Sequence, residues 1–213
     1  IAGYAEMLVD GDAGPLLPAQ RSMVDIIERN TERLQRLIED VLTISKVEAG
    51  TFRIDPLPID LNVLVQSAVR ACQSTFEQHG VDLSVQLPAA PLEIFADTAQ
   101  MERVLVNLLS NAAKFSACGD AVLLRAELLG SRCIVSVHDQ GVGMSSDEQE
   151  QLFTQFFRSS TAHERSIQGT GLGLAIVRSI VQGHGGTLYI ETVPCVGTII
   201  KFDLSISEQK HKV

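Results

Sequence analysis

The chain has no apolar run near the ~18–20 residues that cross a bilayer as a helix, and a soluble segment is expected. It opens on no basic, apolar, small-residue leader and on no initiator methionine. Ile1-Ala-Gly-Tyr-Ala-Glu-Met-Leu8 reads instead as the middle of a helix, so a piece of a longer protein is expected. Positive charge is scarce: 17 Lys and Arg face 26 Asp and Glu, a net charge of −9. That argues against a nucleic-acid binder, which needs a basic face. It leaves local phosphate binding open, because backbone N–H groups, a metal and one lysine suffice. Cysteine is sparse and scattered: Cys72, Cys118, Cys133 and Cys195 include no Cys-x-x-Cys pair. They read as reduced, partly buried thiols of a cytosolic protein. No internal repeat is visible. What is present is 213 residues, 45% hydrophobic, enough for one ordinary domain plus a smaller element and against global disorder.

Residues 1–9 read as a helix that Asp10-Gly-Asp-Ala-Gly-Pro15 stops. A long helical pattern follows, from about Pro18 to Ala49. Met23, Ile27, Asn30, Leu34, Leu37, Val41 and Ile44 alternate steps of four and three, a heptad seam. Ile26, Ile38 and Leu42 widen the stripe to what a four-helix bundle requires. Such a helix is ~45–50 Å long. Gly50 ends it, and Pro56 and Pro58 mark a linker over 51–60. Beyond it, Asp60 caps a helix from Leu61 to Gln78, and Val81–Leu87 and Leu92–Phe95 read as strands. Asp97 caps a helix from Thr98 to Phe115. Strands are expected at 121–128, 132–138, 187–192 and 198–204, and helices at 145–152 and from Gly171 to about Gly183. Residues 153–168 read as a polar, mobile loop, and 207–213 as a polar tail. Helices beside largely antiparallel strands imply an α+β layered sandwich.

Three stretches carry chemistry. In Gln168-Gly-Thr-Gly-Leu-Gly-Leu-Ala-Ile176, glycines alternate with other residues and run into an apolar helix. Glycine lets backbone approach a ligand closely, and the helix start offers unpaired N–H groups to phosphate. Alone it also fits a turn that binds nothing. Upstream, Asn107 and Asn111 lie one turn apart on a helix face, with Lys114 beside them. Two carboxamide oxygens can ligate Mg²⁺, and the lysine supplies charge for the same phosphates. A solvated face of ordinary asparagines is the alternative, but asparagine is a poor helix former and two in an apolar helix need a reason. The third stretch, Asp139-Gln-Gly-Val-Gly143, follows a strand. Its carboxylate can accept from an amine such as adenine N6, and its glycines let the chain turn beneath a flat ring; a plain tight turn is the alternative.

In this order the three stretches resemble the catalytic domain of bacterial sensor histidine kinases, in the ATP-binding superfamily shared with gyrase B, a heat-shock chaperone and MutL. The likeness covers nearly the whole chain. Asn107–Phe115 is similar to the asparagine box, Asp139–Gly143 to the first glycine box, Leu152–Arg158 to the phenylalanine box and Gly169–Leu174 to the second glycine box. His184-Gly-Gly186 and Gly197-Thr198 match the closing strands. The helix ending Asp40–Gly50 resembles the second helix of the dimerisation and phosphoacceptor domain. The fold implied is an α/β sandwich of the Bergerat type at 61–206, preceded by a helical hairpin at 1–50 from a dimeric four-helix bundle.

The resemblance implies ATP and Mg²⁺ as ligands. Asp139, with Gly141 and Gly143, would read adenine, and Phe115 would lie against the purine. Asn111 would hold Mg²⁺ with Asn107 beside it. Lys114 and the backbone of Gly169, Thr170, Gly171, Leu172, Gly173 and Leu174 would cradle phosphates, with Thr198 on a closing strand nearby. Residues 158–168 would form a lid with Arg158 near the γ-phosphate. Arg103 stands where the family often has Gln or Glu, leaving Glu102 displaced, so no catalytic base is assigned. The acceptor histidine is expected about nine residues before Ile1. His79, His138, His163, His184 and His211 read as surface or packed residues. Implied partners are a second copy through the hairpin and a response-regulator receiver domain. A membrane is expected only through parts outside this segment, which would itself be cytoplasmic. A degenerate kinase serving as a nucleotide-sensing scaffold is the alternative. An ATPase clamp would lack the heptad helix, and an anti-sigma serine kinase would not need it.

Overall fold

The computed structural model describes residues 1–11, 14–164, 167 and 169–206, without the side chains of Ala2, His163 and Glu164. Gln168 and the tail at 207–213, with His211, lie outside the described residues. The chain divides into two compact units, Ile1–Thr51 and Phe52–Val213. No helix among the described residues is long and apolar enough to cross a membrane.

The first unit is a hairpin of α1 (Ala2–Asp10) and α2 (Pro18–Glu48). Gly11 closes α1 at φ +86°, its N–H bonded to the Met7 carbonyl, a left-handed cap that glycine adopts at little cost. Pro18 opens α2 where its missing N–H would be unpaired anyway, and Gln20 accepts from the Leu17 N–H at 2.9 Å. Ala5, Val24 and Ile44 are buried. Of the expected seam Ile44 is covered and Leu37 half-covered, whereas Met23, Ile27, Leu34 and Val41 stay exposed. The nine residues of α1 reach about 14 Å, against about 46 Å for the 31 of α2, so most of the stripe lies beyond α1.

In the second unit, β1 (Leu57–Asp60) leads into α3 (Leu61–His79), β2 (Asp82–Gln86), β3 (Glu93–Ala96) and α4 (Thr98–Phe115). Then come β4 (Ala121–Leu129), β5 (Arg132–Asp139), α5 (Ser146–Gln151), α6 (Ser160–Glu164), α7 (Gly173–Gly183), β6 (Leu188–Val193) and β7 (Gly197–Ser205). Both aspartate caps are in place. Asp60 accepts from the Asn62 N–H at 2.8 Å and Asp97 from the Gln100 N–H at 3.1 Å. Five strands form one sheet in the order β2-β4-β5-β7-β6, with β2 parallel to β4 and the other pairs antiparallel. Helices α4 and α7 pack on the sheet, and α3 packs on α4.

The core lies between these layers. Val122, Leu124 and Ala126 of β4, Cys133, Val135 and Val137 of β5, and Ile200, Phe202 and Leu204 of β7 meet Leu105, Leu108, Leu109, Ile176 and Ile180 of the helices. Each such aliphatic side chain contributes about 1.5–3 kcal/mol on full burial. The alternate positions, among them Arg125, Glu127 and Lys201, face away, as the two-residue strand period requires.

Two stretches differ from the sequence expectation. Residues 57–60, expected as linker, are β1, which pairs antiparallel with β3, Leu57 opposite Ala96. Pro58 signalled a linker, but a strand in a two-stranded sheet has a free edge where a missing N–H is tolerated. The stretch 153–168, expected as loop, contains α6. Five residues are too few to display a helical period.

Candidate functional site

The site grows from the outer half of α4. Asn107, Asn111 and Lys114 are half-buried along its face, between the core residues Leu108, Ala112 and Ala113. The Asn111 amide donates to Asn107 Oδ1 at 3.1 Å. That bond uses the nitrogen end of Asn111, so its carbonyl oxygen is the group a cation would take. Asn107 is hemmed in from another side: a Cβ on Gly173 would lie 2.3 Å from Asn107 Nδ2. The glycine that begins α7 is therefore what lets the asparagine helix and the start of α7 come together.

The C-terminal end of α4 runs into the second wall. Val142 N–H donates to the Phe115 carbonyl at 3.3 Å, and a Cβ on Gly141 would come within 2.5 Å of that oxygen. Gly143 sits at φ +61°, where a Cβ would meet the Val193 carbonyl at 2.0 Å. Only glycine fits either position. Asp139, the last residue of β5, is half-buried. Its Oδ1 accepts from the N–H groups of Gly141 (2.9 Å) and Thr198 (3.2 Å). Burial raises its pKa against those two N–H bonds, which favour the anion. The two bonds fix the carboxylate by its Oδ1. Thr198 also meets Thr192 through their hydroxyls at 3.0 Å, and Thr192 accepts from the Met144 N–H at 3.0 Å. Thr192, unremarked in the sequence, thus ties the turn after Asp139 to β6 and β7.

The third wall is the glycine segment. Leu172 is buried and anchors α7, Leu174 is half-buried, and Thr170 Oγ1 accepts from the Leu172 N–H at 3.1 Å. Gly171 has φ +74°, and a Cβ there would lie 2.7 Å from the Phe156 backbone. Phe156 is itself left-handed at φ +63° and donates its N–H to the Gly171 carbonyl at 3.0 Å. Gly169 differs: nothing lies within 4 Å of a Cβ built on it.

The Arg158 guanidinium donates to the carbonyls of Ile167 at 2.5 Å and Ala162 at 3.3 Å, so it braces the segment around α6 from inside. Glu148 joins this segment to α5. One carboxylate oxygen accepts from Ser145 N–H and Oγ at 3.1 Å each, and the other from Ser160 N–H at 3.1 Å and Oγ at 2.9 Å. These bonds, led by the Ser145 N–H, hold the Glu148 pKa below the usual carboxylate range. The Ser-x-x-Glu cap was readable in the sequence; the reach to Ser160 depends on tertiary placement. Glu102 accepts from Ser67 Oγ on α3 at 2.6 Å, away from the asparagine face. The buried Cys72 and Cys133 thiols are pushed up to about 11 by burial, while Cys118 and Cys195 are exposed, and all four are free. Among the described residues no three His, Cys, Asp or Glu side chains cluster as a metal cage.

Residues 96–208 match the family described as histidine kinase-, DNA gyrase B- and HSP90-like ATPase, and residues 1–50 match the His Kinase A (phospho-acceptor) domain. The chain is 33% identical to the Non-motile and phage-resistance protein of Caulobacter vibrioides, covering 100% of this chain and 26% of that protein. It is 35% identical to the circadian input-output histidine kinase CikA of Synechococcus elongatus, covering 98% and 28%. It thus spans little more than a quarter of the length of these relatives. A solved structure of full-length ShkA in complex with AMPPNP superposes with a TM-score of 0.79 at 25% identity, covering 96% of this chain and 42% of that one.

Proposed function

The chain belongs to the histidine kinase-, DNA gyrase B- and HSP90-like ATPases, among the sensor histidine kinases, and we propose that it is the core of an ATP-dependent protein-histidine kinase. In this reading it directs the γ-phosphoryl group of ATP to a histidine of the dimerisation domain, from which a response-regulator aspartate takes it. The observation that carries the reading is the meeting of Asn107 with Gly173, which joins the asparagine face of α4 to the phosphate-binding start of α7. Asp139 is the acceptor for the adenine amine, and the glycines at 141 and 143 keep the floor beneath the ring flat. Phe115 flanks the purine. Lys114 and the backbone from Gly169 to Leu174 hold the phosphates, and Thr198 holds Asp139.

The donor set fits a magnesium ion. A carboxamide oxygen at Asn111, with Asn107 behind it, is the sparse, all-oxygen arrangement of an ion that keeps waters and takes phosphate oxygens. Mg²⁺ bound there would neutralise phosphate charge. The residues of the chain position and neutralise, which is most of what phosphoryl transfer asks of a protein. The segment around α6 is the lid, with Arg158 donating to the Ile167 and Ala162 carbonyls within it. The exposed stripe of α2 supports a homodimer through the hairpin. The likeness to sensor kinases supports a cytoplasmic position in a protein anchored through other segments at the inner membrane. None of the histidines whose side chains are described is assigned as phosphoacceptor.

The test is calorimetric titration with ATP, with and without Mg²⁺, of the chain and of Asn111→Ala. Mg²⁺-dependent binding by the parent and its loss in the variant is the expected result. No binding by the parent refutes the reading.

A further inference from the structure

The one buried histidine among the described residues stands outside the nucleotide pocket. His184 follows the last residue of α7 and is 7% exposed. Both ring nitrogens are engaged. Nδ1 meets the Ile180 carbonyl at 2.8 Å, and Nε2 meets the Asp97 backbone N–H at 2.9 Å. A carbonyl only accepts and an N–H only donates, so the ring is neutral with its proton on Nδ1. Asp97 caps α4, and its Oδ2 also accepts from the Asp55 N–H at 3.3 Å.

This contact has a counterpart at the other end of α7, against the middle of α4. Asn107 lies against Gly173 at the start of α7, and Asp97 lies against His184 at its end. Ten residues separate Asp97 from Asn107, and eleven separate Gly173 from His184. At 1.5 Å per residue both spans are about 15–16 Å. The helices run antiparallel, and α7 is held at both its ends against the first half of α4. A slide of α7 along α4 must break the imidazole bond, and it carries the phosphate-binding segment with it.

We infer that His184 is a positioning residue for nucleotide binding: neutral, it sets the register of α7 on α4, and protonated, it releases that register. The inference rests on the kinase reading above. A protonated ring has no acceptor for the Asp97 N–H, which is then left unpaired beside a second donor. Of the charged groups on the elements around the ring, Asp97 is the one that acts on it electrostatically; the Arg132–Asp203 pair, which joins β5 to β7, donates from Arg132 to the neighbouring Gly185 carbonyl at 2.9 Å. Burial lowers the imidazole pKa, and the Ile180 bond and the Asp97 charge oppose it less. The sign follows. Above the ordinary imidazole value near 6.5 neither folded nor unfolded chain binds this proton. Below it the unfolded chain takes the proton first, and stability falls with falling pH.

ATP affinity in Mg²⁺, measured from pH 8 to pH 5.5 for the parent, His184→Gln and His184→Leu, tests this, with thermal melts to establish folding. Glutamine keeps an acceptor for the Asp97 N–H and has no proton to gain; leucine keeps only bulk. Protonation of phosphate and of Asp139 is common to all three proteins. The expected result is a parent that loses affinity in acid more steeply than His184→Gln, by up to about tenfold per pH unit. His184→Gln stays close to the parent at pH 8, and a folded His184→Leu is weaker throughout. Should leucine fail to fold, the glutamine profile decides alone. Coincident profiles for parent and His184→Gln overturn the inference. A parent that binds no ATP at pH 8 refutes the nucleotide reading, and this one falls with it.

Discussion

The two units use the same apolar residue types and close them differently. In the second unit Leu105 and Phe202 are 0% exposed, shut between sheet and helices of one chain. In the first, Leu34 is 54% and Met23 65% exposed, on a helix whose partner α1 covers about a third of its length. A sheet with helices on one face provides both sides of its core. A two-helix hairpin offers one side and needs another molecule's helices for the second. In the proposed reading the first unit serves assembly and the second binds nucleotide.

The strongest way to break the contrast is Phe202→Ala. Truncating a fully enclosed aromatic on an inner strand of the sheet should cost the second unit about 3–5 kcal/mol, read from denaturant melts followed by a near-ultraviolet signal. A loss below 1 kcal/mol would mean that this core is looser than its burial implies. Leu34→Ala sharpens the contrast from the other side. Stability of the isolated chain should change within about 0.5 kcal/mol, because the side chain is exposed there. Self-association followed by sedimentation should weaken by at least about 10-fold, because the substitution removes a leucine from each of the two copies that share the seam. Unchanged association would move the dimer interface elsewhere.

The smallest effects separate glycines within one motif. Gly171→Ala places a Cβ against the Phe156 backbone at a left-handed φ and should cost about 1–2 kcal/mol in thermal stability, with weaker ATP binding. Gly169→Ala meets open space without a positive φ and should be near neutral in the same melt. Equal effects at the two positions would show that the motif acts as a uniform flexible strip, not as one close contact beside an open one.

Much of this was legible in the residues. The aspartate caps, the glycine stops at 11, 50 and 80 and the strand alternation are local, so sequence spacing displays them. The asparagine pair was visible because two poor helix formers stood in an apolar helix. Arg158 shows the limit. Its sequence position says nothing of the carbonyls of Ala162 and Ile167, which become its partners once α6 forms. Glu148 was readable as a cap and not as a tether, because Ser160 is twelve residues away and no periodicity joins them.

By itself the sequence determined most of the element types, the heptad stripe and the three motif stretches, each written in spacings of a few residues that backbone geometry converts directly into a face, a turn or a cap. Tertiary structure alone decided that Gly173 rests on Asn107, that Thr198 holds Asp139, and that His184 closes on the head of α4. Those pairs lie 59 to 87 residues apart where a hydrogen bond joins them. Their partners are chosen by the packing of two helices on one sheet, and no local pattern encodes that choice.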